Sequence, residues 1–112
     1  MNENQKNFVQ VAQISAIEQG TNKAFDVAGK SILICHTKDG EFYAVENLCS
    51  HAIAALEGGK MRKHRLICPL HGASFDMRDG SVLGKPAFTP ICAYEIRITN
   101  NMIEVLLDTP VG

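Results

Sequence analysis

At 112 residues the chain suits one domain with a modest core. Its net charge of −1, with 46% hydrophobic and 21% charged residues, argues against the basic face that nucleic acid or an anionic membrane requires. The polar N-terminus is followed by no apolar run long enough for a signal peptide or a membrane span, so a cytoplasmic location is expected. Thiols stay reduced there, and clustered cysteines read as metal ligands rather than disulfides.

Short segments rich in Val, Ile, Phe and Tyr, punctuated by Gly and Asx, predict a small all-β domain. Residues 8–12 form the first expected strand. Residues 14–19 are the one helical candidate. Strands are expected at 24–27 and 31–37, around an Ala28-Gly29-Lys30 loop. Asp39-Gly40 is a two-residue hairpin signal before a strand at 41–45. Gly58-Gly59 closes a loop and leads into residues 60–67, expected to return as a single strand. Asp79-Gly80 marks a turn between strands at 74–77 and 81–83. Residues 94–99 alternate apolar and polar side chains, and Asn100-Asn101 can take the positive φ angles of a tight turn before a partner strand at 102–107.

Residues 47–56 and 68–75 break this pattern, because they carry no Asp, Glu, Lys or Arg and hold two Cys–His pairs. The first pair is Cys49-Ser50-His51. The second is Cys68-Pro69-Leu70-His71. Each short loop can aim a thiolate and an imidazole at one inorganic centre. Tetrahedral zinc accepts such a donor set, although zinc fingers favour C-x₂₋₄-C with H-x₃₋₅-H over C-x-H with C-x-x-H. A two-iron cluster held by two cysteines and two histidines accepts it as well. Pro69 fixes φ and removes one N–H beside the site, and Gly72 permits a tight turn.

The flanking residues narrow the choice. With C-S-H at 49–51, C-P-L-H-G at 68–72, Phe75-Asp76, Gly80, Pro86, Pro90 and Tyr94, together with D-G-E-F-Y-A-V-E-N at 39–47, the chain resembles the Rieske ferredoxins of bacterial aromatic-ring dioxygenase systems. The resemblance covers nearly the whole chain. It implies a single Rieske domain over 1–112, built of antiparallel sheets, with a cluster-binding subdomain at about 47–90 on the tip of a basal β domain. It implies one Rieske 2Fe–2S cluster with Cys49, His51, Cys68 and His71 as ligands, the cysteines on one iron and the histidines on the other. It further implies a monomeric one-electron carrier, not an enzyme by itself, between a flavin ferredoxin reductase and a terminal oxygenase. A small subunit of another redox complex, such as a nitrite reductase, is the nearest alternative, and a zinc-stabilised binding module is a more distant one.

Respiratory Rieske proteins carry a disulfide across the ligand loops and hydroxyls that hydrogen-bond to cluster or cysteine sulfur. The matching positions here are Ala54 and Leu70 for the disulfide, and Ala73 and Phe75 for the hydroxyls. Fewer donors leave the reduced state less stabilised, so a potential near the low end of the Rieske range, roughly −150 mV, is expected.

The other reactive side chains have plainer readings. Cys35 and Cys92 are expected to be buried small hydrophobes. His64 falls in the basic run 60–65, which reads as a solvated hairpin face in preference to a docking surface. Ala52, Ile53, Leu70, Ala73, Pro86 and Phe88 either cover the cluster or form an apolar rim.

Overall fold

The computed structural model describes residues 8–49, 54–70, 72–85 and 89–107. The chain forms eleven strands among these residues: β1 (Phe8–Gln13), β2 (Thr21–Val27), β3 (Lys30–His36), β4 (Phe42–Glu46), β5 (Lys60–Arg62), β6 (Arg65–Ile67), β7 (Ser74–Asp76), β8 (Val82–Gly84), β9 (Ala93–Tyr94), β10 (Ile96–Thr99) and β11 (Met102–Leu106). They make three antiparallel sheets, in the orders β1-β11-β10, β2-β3-β4-β9 and β5-β6-β7-β8.

The middle sheet explains the whole arrangement. Successive side chains of a strand point to opposite faces, so a strand buried on both faces is apolar throughout. β3 is such a strand, with Ile32, Leu33, Ile34 and Cys35 all at 0% exposure. Ile32 and Ile34 join Ala44, Ile103 and Val105 in one core, against the first sheet. Leu33 and Cys35 join Val45, Leu66 and Phe75 in a second core, against the small third sheet. The single run Ile-Leu-Ile-Cys thus fastens both outer sheets to one strand.

Most turns follow their sequence signals. Ala28 and Gly29 take φ 51° and 81°, and Asn100 and Asn101 take φ 52° and 65°. The twist of these turns matches that of the flanking strands.

Four expectations need correction. Residues 14–19 give only a three-residue 3₁₀ turn, Ile14–Ala16, because the chain bends at once to reach β2. Asp39-Gly40 belongs to a three-residue loop, closed by Thr37 N–H on Glu41 O at 2.8 Å, with Gly40 at φ 89° as the left-handed residue. Residues 60–67 are a hairpin and not one strand. Its turn is Lys63-His64, with Lys63 at φ 53°, and Met77 N–H holds it by bonding to His64 O at 2.8 Å. Residues 94–99 are divided between sheets. Ala93–Tyr94 pairs with β4, and Ile96–Thr99 pairs with β11. The alternation runs through the switch, so it could not reveal it.

Among the described residues, no helix is long and apolar enough to cross a membrane.

Candidate metal centre

Cys49 follows β4, and Cys68 follows β6. The Cys49 N–H bonds to Ala54 O at 2.8 Å, and the Cys68 N–H bonds to Ala73 O at 2.7 Å. Each bond closes a loop from the cysteine to the fifth residue after it. His51 and His71 fall inside these two closed loops in sequence, and both lie outside the described residues. The Gly72 N–H also bonds to Cys68 O at 3.1 Å, with Gly72 at φ 78°, which tightens the second loop.

The structure brings the two candidate cysteines into one apolar cluster with Leu56, Leu66, Ala73 and Phe75, at 2% and 1% exposure. A cavity of about 330 Å³ opens beside Cys68, lined also by Ile67, Pro69 and Gly72. Two buried thiols in matching loops, each with an imidazole-bearing residue in the same short loop, form a donor set that fits a two-iron cluster. Cys35 shows what burial does to a thiol without such a role: desolvation pushes it up to about 12.

Polar contacts that the sequence did not announce hold the first loop. Asn47 Oδ1 accepts the N–H groups of Leu56 and Glu57, both at 2.9 Å, and so joins the loop's two ends. The Asn47 N–H bonds to Ser31 O at 3.0 Å, anchoring this bracket to β3. Beyond the loop, Gly58 N–H bonds to Asn22 Oδ1 at 2.8 Å, Asn22 Nδ2 donates to Gly59 O at 3.0 Å, and Ala24 N–H bonds to Glu57 Oε2 at 2.9 Å. These contacts pin the returning chain along β2, the edge of the middle sheet. An Asx residue just before a loop of unusual composition was the only available signal.

The second loop rests on close backbone approach. A Cβ on Gly59 would stand 2.2 Å from Ile67 O, one residue before Cys68. Below the loops, the Asp76 carboxylate accepts from Arg78 N at 2.9 Å, Nε at 2.9 Å and Nη2 at 2.7 Å. The Arg78 guanidinium holds the Asp76 carboxyl below its usual range. His64 Nε2 lies 3.3 Å from Glu41 Oε1 and meets the Tyr43 ring edge-on, which ties the β5–β6 turn to the middle sheet. His64 is therefore a half-buried joint and not a free surface side chain.

Several other expectations can be placed. Cys35 is buried as expected, whereas Cys92 is exposed. Cys92 sits just before β9, where its N–H bonds to Glu46 Oε1 at 2.7 Å and its side chain lies outside both cores. Ala73 is fully buried, and Leu70 is 62% exposed. Ala73 is thus a core residue and Leu70 is not, and Ala52, Ile53, Pro86 and Phe88 lie outside the described residues.

The family model described as the Rieske [2Fe-2S] domain matches residues 7–97. A ferredoxin component of naphthalene 1,2-dioxygenase/salicylate 5-hydroxylase systems from Ralstonia sp is 30% identical, over 92% of this chain and 98% of its own length. Among solved structures, the ferredoxin of carbazole 1,9a-dioxygenase from Nocardioides aromaticivorans IC177 superposes with a TM-score of 0.83 at 34% identity, covering 89% of this chain and 97% of that one. A putative NADH-dependent nitrite reductase small subunit from Mycobacterium tuberculosis has a TM-score of 0.84 at 18% identity, over 95% and 99% of the two chains, a likeness of fold alone. With the family model matched over most of its length, two buried cysteines in twin loops and three antiparallel sheets beneath them, the chain belongs to the Rieske [2Fe-2S] domain family and takes one Rieske-type 2Fe–2S cluster.

Proposed function

We infer that the chain is a one-electron carrier of an aromatic-ring dioxygenase system, taking electrons from a flavin ferredoxin reductase and passing them to a terminal oxygenase. The observation that carries this reading is sequence identity, over nearly the full length of both chains, to ferredoxin components of such systems. The nitrite-reductase alternative has the fold in its favour but not the identity.

Cys49, His51, Cys68 and His71 are the proposed ligands. The bound cluster supplies reversible uptake of one electron at an elevated potential, because neutral imidazoles replace two thiolates. The chain's own residues bury the cysteine side, exclude water with Leu56, Leu66 and Phe75, and fix the loops by the Cys49–Ala54 and Cys68–Ala73 bonds. Exposed Leu70, in the second ligand loop, offers an apolar contact to a partner. Small, short-lived contacts of this kind suit electron transfer. The ligand loops and the small sheet make up the cluster-binding subdomain, at about 47–90 of a single domain. The carrier works as a monomer in the cytoplasm.

The test is spectroscopic and then functional. The purified protein shows Rieske visible and electron paramagnetic resonance spectra, and His51→Ala and His71→Ala each abolish or strongly shift the resonance signal. An unchanged signal in both variants refutes the ligand set. A colourless protein holding zinc and no acid-labile sulfide refutes the carrier reading altogether. Mixing the reduced protein with an oxidised ring-hydroxylating oxygenase then reduces the oxygenase, and failure to do so favours another redox complex.

A further inference from the structure

The small sheet carries a concentration of positive charge, of which, among the described residues, only Arg65 is engaged within the sheet, by a 2.6 Å hydrogen bond to Ser74 Oγ. Between Glu57 and Asp76 the sequence has no acidic residue and four cations, Lys60, Arg62, Lys63 and Arg65, in a chain whose net charge is −1. Lys60, Arg62 and Lys63 are exposed, and none forms an ion pair with a described carboxylate. Arg62 and Arg65 are direct cross-strand partners. Like charges placed opposite one another destabilise a hairpin.

The same residues line a series of hollows that share residues from one to the next. β5 is the outer strand of its sheet, so one side of its backbone has no neighbouring strand. A hollow of about 290 Å³ beside it is lined by Lys38, Asp39, Met61, Arg62 and Lys63. A second, of about 430 Å³, shares Gly20, Met61 and Arg62 with the first and continues to Lys60 and Gly58. The cavity beside Cys68 shares Gly58 and Lys60 in turn. The three hollows form a trough along the β5 edge from Lys38 and Lys63 to the second ligand loop. Its cations outnumber the single carboxylate of Asp39.

We propose that this trough is a docking site for an extended acidic segment of an electron-transfer partner, which lies along β5 and so brings the partner to the flank of the cluster. This rests on the carrier reading above. Lys60 and Arg62 are two residues apart on one strand face, about 7 Å, which is the repeat of alternate side chains in an extended peptide. An exposed strand edge offers backbone hydrogen bonds to such a peptide, and the cations select acidic sequences. The rival explanation is that Lys and Arg on an edge strand merely deter association of sheets. A single-stranded nucleic acid is the other polyanion of suitable shape, but among the residues lining the trough there is no aromatic side chain on which bases could stack.

The test uses the cluster-loaded full chain and a fluorescein-labelled ten-residue peptide of alternating Glu and Val, with binding read by fluorescence anisotropy. Saturable binding that weakens steeply with added KCl is expected. K60E/R62E weakens it at least about tenfold, whereas K30E/K85E, with the same change in net charge on other faces, alters it less than about twofold. Because Arg62→Glu converts a repulsive cross-strand pair into an attractive one, K60E/R62E keeps or raises the thermal midpoint while losing the peptide. No saturable binding, equal loss in both double variants, or equally tight binding of a ten-nucleotide oligothymidylate overturns the proposal. The Rieske signal of the same samples is a separate readout. Its absence refutes the carrier reading, and the anisotropy still decides whether the trough binds acidic peptide.

Discussion

Two adjacent glycines, Gly58 and Gly59, make sharply different predictions for the same change to alanine. Gly58 has φ 86°, and a Cβ there would meet nothing within 4 Å. Gly58→Ala therefore bears only the strain of a left-handed alanine, about 1 kcal/mol. Gly59 is buried, and its Cβ would stand 2.2 Å from Ile67 O and 3.0 Å from Leu56 O. Real Cβ contacts essentially never fall below 3.0 Å, so Ile67 must retreat by at least 0.8 Å. Both obstructing atoms are backbone. Ile67 also pairs with Lys60 and Ser74, so the shift must spread through the small sheet. Forcing extra volume into such a contact costs about 2–3 kcal/mol.

The displacement reaches Cys68, the next residue, and moves it relative to Cys49. Gly59→Ala is therefore expected to lose most of its bound iron and its Rieske resonance signal, and to unfold at a midpoint roughly 10 °C lower. Gly58→Ala keeps full iron content and loses roughly 4 °C. Iron and sulfide analysis, electron paramagnetic resonance and thermal denaturation of the two variants side by side provide the measurement. Full cluster content in Gly59→Ala, with no greater loss of stability than in Gly58→Ala, would refute the claim that this backbone contact spaces the two ligand loops.

Three further outcomes follow from other contacts. Asn47→Ala leaves the Leu56 and Glu57 N–H groups without their acceptor, at about 1–3 kcal/mol, and amide exchange at Leu56 should accelerate accordingly. The Asp76 carboxyl is depressed in the folded chain, so its contribution to stability is complete above the unfolded value of about 3.9 and is lost as pH falls through the lower folded value. Asp76→Asn should thus be less stable than the parent at neutral pH and converge with it as pH falls through the depressed folded value, as measured by denaturant midpoints across pH. In the native cluster-loaded protein, iodoacetamide should modify one cysteine, exposed Cys92, and spare Cys35, whose buried thiol is pushed up to about 12. Mass spectrometry showing rapid native labelling of Cys35 would contradict its placement in the core.

The ligand motif, the all-β class and most turns were legible in the sequence because each rests on a local rule. Cys-x-His and Cys-x-x-His need only a few consecutive residues to mark a candidate metal centre. Asn100-Asn101 and Ala28-Gly29 select their turns through backbone sterics at the turn itself. The apolar context of Cys35 signalled its burial, whereas the attachment of Ile32–Cys35 to two cores, one on each face of β3, emerged only in the fold. What escaped the sequence was whatever depends on a distant partner. The switch at Glu95 is decided by β4 and β11, which compete for neighbouring residues of one alternating segment. The Lys63-His64 turn has no Gly or Asn to mark it and is held by Met77, just past the end of β7. Cys92 looked like a core residue because its neighbours are apolar, but its backbone bonds to Glu46 at the end of β4 and its side chain lies outside both cores. The pairing of Cys49 with Cys68 shows the division most clearly. Their residue types pointed to a metal centre, and the residues around them pointed to a Rieske cluster. Their meeting in one buried cluster depends on Asn47, Gly59 and the small sheet, and on Asn22 and Ala24 more than thirty residues away, contacts that exist only once the chain has folded.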